Sequence, residues 1–391
     1  MLFARIESAG LAQYSYLIGD ETKAVVIDPR RDCDLYIERA TEAGMAITDI
    51  LETHRHEDFA VGSVELAART GAAIWHADDQ LPYRYGRPVE DGQSWRMGDL
   101  RLQAIHTPGH TEGSRSYVLY EPNGEPWMVF SGDVLFTGEV GRVDFLGMDR
   151  APEMAGHLYD SIFEKLLPLG DGVLLHPAHG YGSACGSDIA DRPWSTLGIE
   201  RKLNPRLQYT DREAFIENVA RKLPKPLYFD RMEMVNLEGP ALMGNLPTLT
   251  PLNPGTFEAM AKDAYVIDVR AVEAFCASHV PGSFAMALDR IPHFIGWFVP
   301  YDRPVLLVMD GASVSEVLPY LVRQGYDNVK GYLANGMRGW TGRGRPTESI
   351  HLLSPAELAE KSDDWWILDV RSEDELANGR IPGAHHIGLK Q

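Results

Sequence analysis

The chain reads Thr53-His-Arg-His-Glu-Asp-Phe59 directly after an apolar run that predicts a strand, Ile47–Leu51, and directly before a predicted helix over about 61–70. Two imidazoles and a carboxylate within five residues supply the nitrogen and oxygen donors that a borderline metal ion prefers. Ligands are expected where a strand ends and the chain turns. The motif therefore predicts a metal site at the edge of a sheet.

Further candidate ligands come later in the chain, and each follows another apolar run: His110 in His106-Thr-Pro-Gly-His110, Asp133 in Phe130-Ser-Gly-Asp133, and His179 in His176-Pro-Ala-His179. Four ligand-bearing loops at strand ends are expected to converge on one site. Spacing alone leaves open whether His54 or His56 binds the metal, because either side chain can turn in from the same loop.

The first 180 residues alternate short strands with helical stretches, which predicts an α/β fold: an αββα sandwich of two sheets with helices outside. The predicted strands are Tyr14–Ile18, Ala24–Asp28, Leu100–Ile105, Ser114–Tyr120, Trp127–Phe130 and Gly172–Leu175, and the helices lie near 33–43, 61–70 and 152–167. Asp28 precedes Pro29 and is interpreted as a turn residue rather than a ligand.

Four short strings of this sequence resemble the metallo-β-lactamase fold: His54-x-His56-x-Asp58, Thr107-Pro-Gly-His110, Ser131-Gly-Asp133 and Pro177-Ala-His179. Two-metal members of that fold carry a histidine at the position of Phe59, where it helps to hold the second ion. A phenyl ring coordinates no metal. The difference therefore favours a single metal ion.

Within that superfamily, three strings resemble the persulfide dioxygenases, which are mononuclear iron enzymes: Gly141-Arg-Val-Asp-Phe145, Pro177-Ala-His-Gly-Tyr181 and Leu203-Asn-Pro-Arg206. The resemblance implies one Fe(II) per chain, with zinc as the alternative, held by His54, His110 and Asp133. It implies three residues close by that do not bind: His56, Asp58 and His179. Two histidines and one carboxylate leave positions on iron for a substrate and dioxygen side by side.

The same resemblance implies residues that contact the substrate. Arg142 offers a cationic fork suited to a carboxylate and Tyr181 a phenol donor, and in these dioxygenases such positions contact the thiol carrier, commonly glutathione; either residue has a structural role as its alternative. Cys185 lies among small residues that would leave its sulfur accessible. It is either a sulfur relay or a buried, inert thiol.

After a proline-rich connector the sequence repeats itself. Ile267-Asp-Val-Arg270 recurs as Leu368-Asp-Val-Arg371, and Val280-Pro-Gly282 recurs as Ile381-Pro-Gly383. These copies resemble the rhodanese family. The predicted domains are therefore a catalytic domain over 1–245, a rhodanese-like domain over 246–345, and the N-terminal part of a second one over 346–391.

A working rhodanese carries its sulfur on a cysteine in the loop after its central strand. Here the corresponding strand is Val305–Met309 and the next residue is Asp310. A carboxylate cannot carry a persulfide, so this degenerate loop predicts an inactive rhodanese-like domain.

Composition limits the partners. The chain has 391 residues and a formal net charge of −19, which speaks against nucleic acid and anionic membranes and favours small substrates. No apolar run is long enough to span a membrane, and three cysteines at wide spacing fit a reducing compartment. We expect a soluble, cytoplasmic protein; a homo-oligomer stays open.

The function that the resemblance implies is that of a persulfide dioxygenase in sulfide metabolism. It would oxidise a small thiol persulfide, such as glutathione persulfide, to sulfite with O2. Two alternatives remain: a thioester hydrolase of the glyoxalase II type on the same sandwich, and a non-catalytic protein that binds sulfur compounds. The sequence leaves the thiol carrier undetermined.

Overall fold

The computed structural model describes residues 1–183, 185–186, 188–311, 313–361 and 365–389. The chain divides into two compact units. The first unit contains residues 1–248 and 315–327, and the second contains the described residues of 249–314 and 328–391.

The first unit is built on two six-stranded sheets. Sheet one follows the chain in the order β1 to β6, antiparallel from β1 to β3 and parallel from β3 to β6. Its strands are Leu2–Ser8 (β1), Gln13–Asp20 (β2), Lys23–Ile27 (β3), Ala46–Leu51 (β4), Ala73–His76 (β5) and Arg87–Pro88 (β6).

Sheet two has the order β12-β11-β10-β9-β8-β7, in which only the β10–β11 pair is parallel. Its strands are Ser94–Met97 (β7), Leu100–His106 (β8), Arg115–Tyr120 (β9), Pro126–Gly132 (β10), Leu174–Pro177 (β11) and Ser195–Thr196 (β12).

Helices cover the outer faces of both sheets. They are Asp34–Glu42 (α1), Ser63–Thr70 (α2), Ala151–Tyr159 (α3), Leu197–Leu203 (α4), Arg212–Val219 (α5) and Phe229–Glu238 (α6), with a π-helical turn over Asp160–Leu166 and 3₁₀ turns over Leu167–Leu169 and Arg206–Gln208. Side-chain caps begin two of them: Thr196 accepts from the Ile199 amide and Asp211 from the Ala214 amide.

Three apolar clusters hold these layers together. Alternate residues of both sheets, such as Ile18 and Leu119, fill the space between the sheets. The opposite face of sheet one packs on α1 and α2 through residues such as Tyr36. The opposite face of sheet two packs on α3 to α5 through residues such as Phe215. This is the predicted αββα sandwich, and the prediction is confirmed.

The second unit contains a five-stranded parallel sheet in the order β13-β17-β16-β14-β15. Its strands are Pro251–Leu252 (β13), Tyr265–Asp268 (β14), Phe284–Ala285 (β15), Val305–Val308 (β16) and Val329–Leu333 (β17). Its connections include the helices Pro254–Ala261 (α7), Val272–Ala277 (α8), Ile291–Phe298 (α9), Val314–Arg323 (α10) and Gly336–Thr341 (α11), and the 3₁₀ turn Leu288–Arg290. Most of α10 belongs to the first unit.

The internal repeat is visible in matching contacts. Arg270 pairs with Asp268 and donates to the Ser278 carbonyl at 2.8 Å. Arg371 pairs in the same way with Asp369 and donates to the Gly379 carbonyl at 3.0 Å. The second copy contributes Pro355–Lys361 (α12), Leu368–Asp369 (β18), Glu373–Leu376 (α13) and His385–His386 (β19).

No helix among the described residues combines the length and the hydropathy that a transmembrane span requires.

Candidate metal centre

Four loops at strand ends carry the candidate ligands. His54 and His56 lie in the loop after β4, and His110 lies in the loop after β8. Asp133 follows β10 directly, and His179 lies two residues beyond β11. Both sheets thus contribute to one edge of the sandwich, where the structure brings His54, His110 and Asp133 together.

These three side chains converge on one buried point. Asp133 Oδ2 lies 3.8 Å from His54 Nε2 and 3.6 Å from His110 Nε2, and all three side chains are fully buried. None of these three atoms has a hydrogen-bond partner among the described residues. Buried polar atoms without partners are costly, whereas two imidazole nitrogens and a carboxylate oxygen are good ligands for a divalent metal. The residues therefore fit a metal ion.

A relay of hydrogen bonds orients His54. Its Nδ1 donates to Thr53 Oγ1 at 3.0 Å, and that hydroxyl donates to Asp28 Oδ2 at 2.7 Å. The relay keeps the proton on Nδ1 and leaves Nε2 free for the metal. Asp28, interpreted from the sequence as a turn residue, is buried at φ +50° and also accepts from the Thr53 amide. The signal that could have revealed it is the parallel pairing of β3 with β4.

His56 faces a different partner. Its Nε2 lies 2.9 Å from Asp28 Oδ1, so this imidazole forms an ion pair outside the cluster. Burial lowers the pKa of His56, but Asp28 and Asp58 outweigh burial and raise it to about 9. The structure brings His54, and not His56, together with His110 and Asp133, so His54 stays the predicted ligand of the two.

His110 is held through the backbone of Arg142. Its Nδ1 donates to the Arg142 carbonyl at 3.0 Å, which turns Nε2 toward the cluster. The Arg142 guanidinium is buried in a bidentate pair with Asp144 and also donates to the carbonyls of Leu223 and Pro224. In this structure Arg142 therefore contacts the candidate ligand His110 through its main-chain carbonyl.

Asp133 is oriented by a second relay. Its Oδ1 accepts from His179 Nδ1 at 2.7 Å, and His179 Nε2 lies 2.8 Å from Asp58 Oδ2. Burial lowers the pKa of His179, but the two carboxylates outweigh burial and raise it well above its ordinary value. Gly132 (φ +56°) allows the end of β10 to lie close to residues 53–59, which we call the motif loop. An added Cβ at this position would lie 2.8 Å from Thr53.

The charges of the cluster suit a metal. Burial, with a smaller contribution from His56, lowers the pKa of His54 well below its ordinary value, so this imidazole is neutral. Burial raises the pKa of Asp133, but His179, which donates a hydrogen bond to it, outweighs burial and lowers it, so this carboxyl is ionised. Neutral imidazole and carboxylate are the forms that bind metal ions.

Glu57 is a further residue that sequence reasoning did not single out. Its side chain is fully buried, and its Oε2 lies 3.8 Å from His54 Nε2 and 3.6 Å from His110 Nε2. The motif itself contained the signal, because Glu57 is a second carboxylate, placed between His56 and Asp58.

Phe59 lies in an apolar patch beside His56. Its ring packs with Leu11 and Val61 and lies 4.6 Å from the His56 ring. Asn236 of α6 fixes this part of the loop, because its amide donates to the carbonyls of His56 (2.7 Å) and Phe59 (2.8 Å). Asn236 also accepts from the Val61 amide, and sequence reasoning missed it.

Cys185 is buried, although its small neighbours suggested an accessible sulfur. Its thiol lies near the carboxylate of Asp58 and the imidazole of His179, with one ligand atom from each within 4.8 Å of the others. Burial, and then Asp58, raise the pKa of this thiol well above its ordinary value. Tyr181 is 68% exposed on the same loop.

The degenerate rhodanese loop borders a cavity in the second unit. Asp310 follows β16 and lines a space of about 650 Å³ together with Asn335 and Arg338. Arg270 Nη1 lies 3.8 Å from Asp310 Oδ2. A carboxylate thus occupies the end of the strand where a rhodanese carries its thiol.

Two families match separate parts of the chain. Residues 9–179 match the family described as "Metallo-beta-lactamase superfamily". Residues 253–343 and 354–391 match the "Rhodanese-like domain" family. The family resemblances deduced from the sequence are confirmed.

Three known proteins illustrate what the chain is similar to. The mitochondrial persulfide dioxygenase ETHE1 of Bos taurus is 32% identical over 237 residues, which cover 56% of this chain and 80% of that protein. The hydroxyacylglutathione hydrolase GloC of Haemophilus influenzae is 28% identical over 214 residues, covering 49% and 91%. A crystal structure of a metallo-beta-lactamase from Staphylococcus aureus subsp. aureus COL superposes with a TM-score of 0.75 at 31% identity, covering 85% of this chain and 98% of that one.

Proposed function

The chain belongs to the metallo-beta-lactamase superfamily and joins rhodanese-like sequence to that domain, and from this membership we propose that it is a non-haem iron persulfide dioxygenase. The observation that carries the proposal is the cluster of His54, His110 and Asp133, whose three inward atoms have no partner among the described residues. The burial of Phe59 in an apolar patch supports a single metal ion.

One Fe(II) is the proposed occupant, with zinc as the alternative, and the three clustered residues are the proposed ligands. When bound, iron supplies the redox chemistry that couples a sulfur substrate to dioxygen. The proposed reaction converts RSSH, O2 and H2O into RSH, sulfite and two protons. The terminal sulfur gives up four electrons and dioxygen accepts four, so the reaction balances.

The chain's own residues prepare this site. The relay from Asp28 through Thr53 holds the proton on His54 Nδ1 and keeps Nε2 facing inward. His179 bridges Asp133 and Asp58 through its two ring nitrogens. The bond to Asp133 Oδ1 fixes the direction of Asp133 Oδ2. These contacts preorganise the ligands before substrate arrives.

The substrate-binding roles of Arg142 and Tyr181 stay predictions, as does a sulfur relay through Cys185. The exposed Tyr181 is accessible to a ligand in this structure. The Arg142 side chain would first have to leave Asp144. A small thiol persulfide as substrate and a cytoplasmic location are part of the proposal, and three buried free cysteines fit a reducing compartment.

The test is oxygen consumption by anaerobically purified, iron-loaded protein supplied with glutathione persulfide. We expect one sulfite per O2 consumed, and loss of both signals in Asp133→Ala. Absence of oxygen uptake by protein that holds one iron per chain would overturn the proposal. Protein that binds no metal would instead support a non-catalytic sulfur-binding role.

A thioester hydrolase of the glyoxalase II type is the second candidate, and the similarity to GloC favours it. The same preparation should therefore be offered lactoylglutathione with zinc and with iron. Rapid hydrolysis without oxygen uptake from persulfide would promote this candidate.

A further inference from the structure

The carboxylate of Glu57 mirrors that of Asp133. Each places one oxygen 3.8 Å from His54 Nε2 and 3.6 Å from His110 Nε2. The two acidic side chains are both fully buried. Glu57 therefore faces the same two nitrogens as Asp133, the carboxylate ligand that the family resemblance implies.

Glu57 has little else to stabilise its charge. Neither of its carboxylate oxygens accepts a hydrogen bond within the described part of the chain. Arg55 Nη2 lies 3.9 Å from Oε1, but Arg55 lies closer to Glu233, at 3.2 Å. A buried carboxylate without hydrogen bonds is unfavourable unless a cation compensates it.

The distances suit a shared ion. Donor atoms bound at about 2.0 to 2.2 Å from one metal lie roughly 3.0 to 3.6 Å apart, according to the coordination geometry. The two contacts of Glu57 exceed this range by at most a few tenths of an ångström. Oε2 lies outside the group of mutually close ligand atoms formed by His54, His110 and Asp133, so it has to move toward that group to coordinate the same ion.

We propose that Glu57 is a fourth protein ligand, so that two imidazoles and two carboxylates hold the metal. This inference rests on the metal site of the proposed function and deepens it. A six-coordinate ion with four protein ligands keeps two open positions instead of three. The two carboxylates also neutralise the charge of a divalent ion within a buried site.

The test compares Glu57→Gln with Arg55→Gln, which removes the neighbouring cation and keeps the Glu57 carboxylate. Co(II) is the probe for both variants and for the unchanged protein. Its affinity is measured by competition with a chelator, and its visible absorption reports the ligand set. We expect Glu57→Gln to weaken Co(II) binding at least tenfold and to change the spectrum, and Arg55→Gln to stay within about twofold with an unchanged spectrum.

Thermal unfolding of the metal-free variants separates ligation from a structural role. Without metal, Glu57→Gln should be at least as stable as the unchanged protein, because it removes a buried charge. Wild-type affinity and spectrum in Glu57→Gln would overturn the inference, and so would an equal loss of affinity in Arg55→Gln. If His54→Ala loses the metal while Glu57→Gln keeps it, only this inference fails; if the unchanged protein binds no Co(II) or iron, the proposed function fails.

Discussion

Single side chains determine which atoms face the metal centre. His54 and His110 each use Nδ1 to donate to a fixed oxygen, so that both Nε2 atoms point inward. Asp133 commits one oxygen to His179 and keeps the other free. Hydrogen bonds thus orient all three of the proposed ligands.

Removing one ligand should remove the metal. We expect one iron per chain in the anaerobically purified protein, and less than a tenth of that in His54→Ala and Asp133→Ala, because three or four protein ligands act together. Elemental analysis of desalted protein gives the stoichiometry, and His351→Ala, at an exposed position, is the control. Two tightly bound zinc ions in active protein would contradict the prediction.

His176 should make stability depend on pH. Burial, assisted by Arg5, lowers the pKa of His176 from 6.5 to about 4. As pH falls from 6.5 to about 4, the unfolded chain binds a proton that the folded chain does not, so folding loses on the order of 3 kcal/mol. His176→Phe keeps the stacking on Phe130, whose ring centroid lies 5.3 Å away, and should reduce this loss.

Urea unfolding at several pH values between 4.5 and 7.5 measures that effect. The variant His351→Gln, at an exposed position, is the control, and its free energy of unfolding should depend on pH as that of the wild type does. An unchanged pH dependence in His176→Phe would show that other groups dominate acid destabilisation.

Among the structural elements, α6 is tied closely to the motif loop. Asn236 makes three hydrogen bonds to the main chain between His56 and Val61. Leucine at this position would leave those buried groups without partners. We expect Asn236→Leu to lower the free energy of unfolding by about 2 to 3 kcal/mol and to weaken metal binding.

Denaturant titration and chelator competition measure the two effects. Met234→Ala, at a position on the same helix that is 65% exposed, is the matched control and should change stability by less than about 0.5 kcal/mol. Equal stabilities of the two variants would contradict the proposed importance of the Asn236 contacts.

The loop after β16 should be silent in sulfur transfer. Thiosulfate:cyanide exchange requires a nucleophilic thiolate, and the loop offers Asp310, whose negative charge also repels thiosulfate. We expect no thiocyanate formation from the intact chain or from Cys185→Ser. Activity that survives loss of Cys185 would contradict this prediction, whereas activity abolished by that substitution would assign the reaction to the first unit.

The sequence predicted the elements whose signals are local. The apolar strands, the ligand-bearing loops at their ends and the internal repeat are all present, because alternation and turn residues act over a few positions. The predicted strand Gly172–Leu175 begins and ends two residues early, which is an ordinary uncertainty at element ends.

The missed residues act over long separations or within a known motif. Asn236 lies 180 residues from His56, and no local pattern marks such a pair. Asp28 is a turn residue by pattern and becomes an orienting residue only when β3 and β4 pair. Glu57 lies in a motif whose histidines and Asp58 already predict a metal site, and its closeness to His54 and His110 appears only in the fold.

For the whole molecule, the first compact unit includes a distant segment. Residues 315–327 belong to this unit although they lie inside the range that matches the rhodanese-like family. Arg323 of this segment donates twice to the Asp32 carboxylate, at 2.8 and 2.6 Å, and its carbonyl accepts from the Ala60 amide. The segment thus contacts the main chain next to Phe59.

Breaking the pair of Arg323 with Asp32 should destabilise the first unit. Both side chains are at most 10% exposed, and Arg30 remains near Asp32. We therefore expect Arg323→Ala to cost about 2 to 3 kcal/mol, somewhat less than an uncompensated buried charge. Arg290→Ala removes an exposed pair and is the control. Urea unfolding, followed by tryptophan fluorescence, measures the stability of both variants. Equal losses in the free energy of unfolding would contradict this prediction.

This arrangement has a consequence for biosynthesis. Asp32 and Arg323 are separated by 291 positions, so a ribosome adding about 5 to 20 residues per second needs roughly 15 to 60 s between them. Throughout that interval the nascent sandwich lacks the acceptor for its Ala60 amide. A chaperone or a protease would meet the edge that carries the candidate ligands in this unfinished state, and arrest of translation before residue 323 would leave it so.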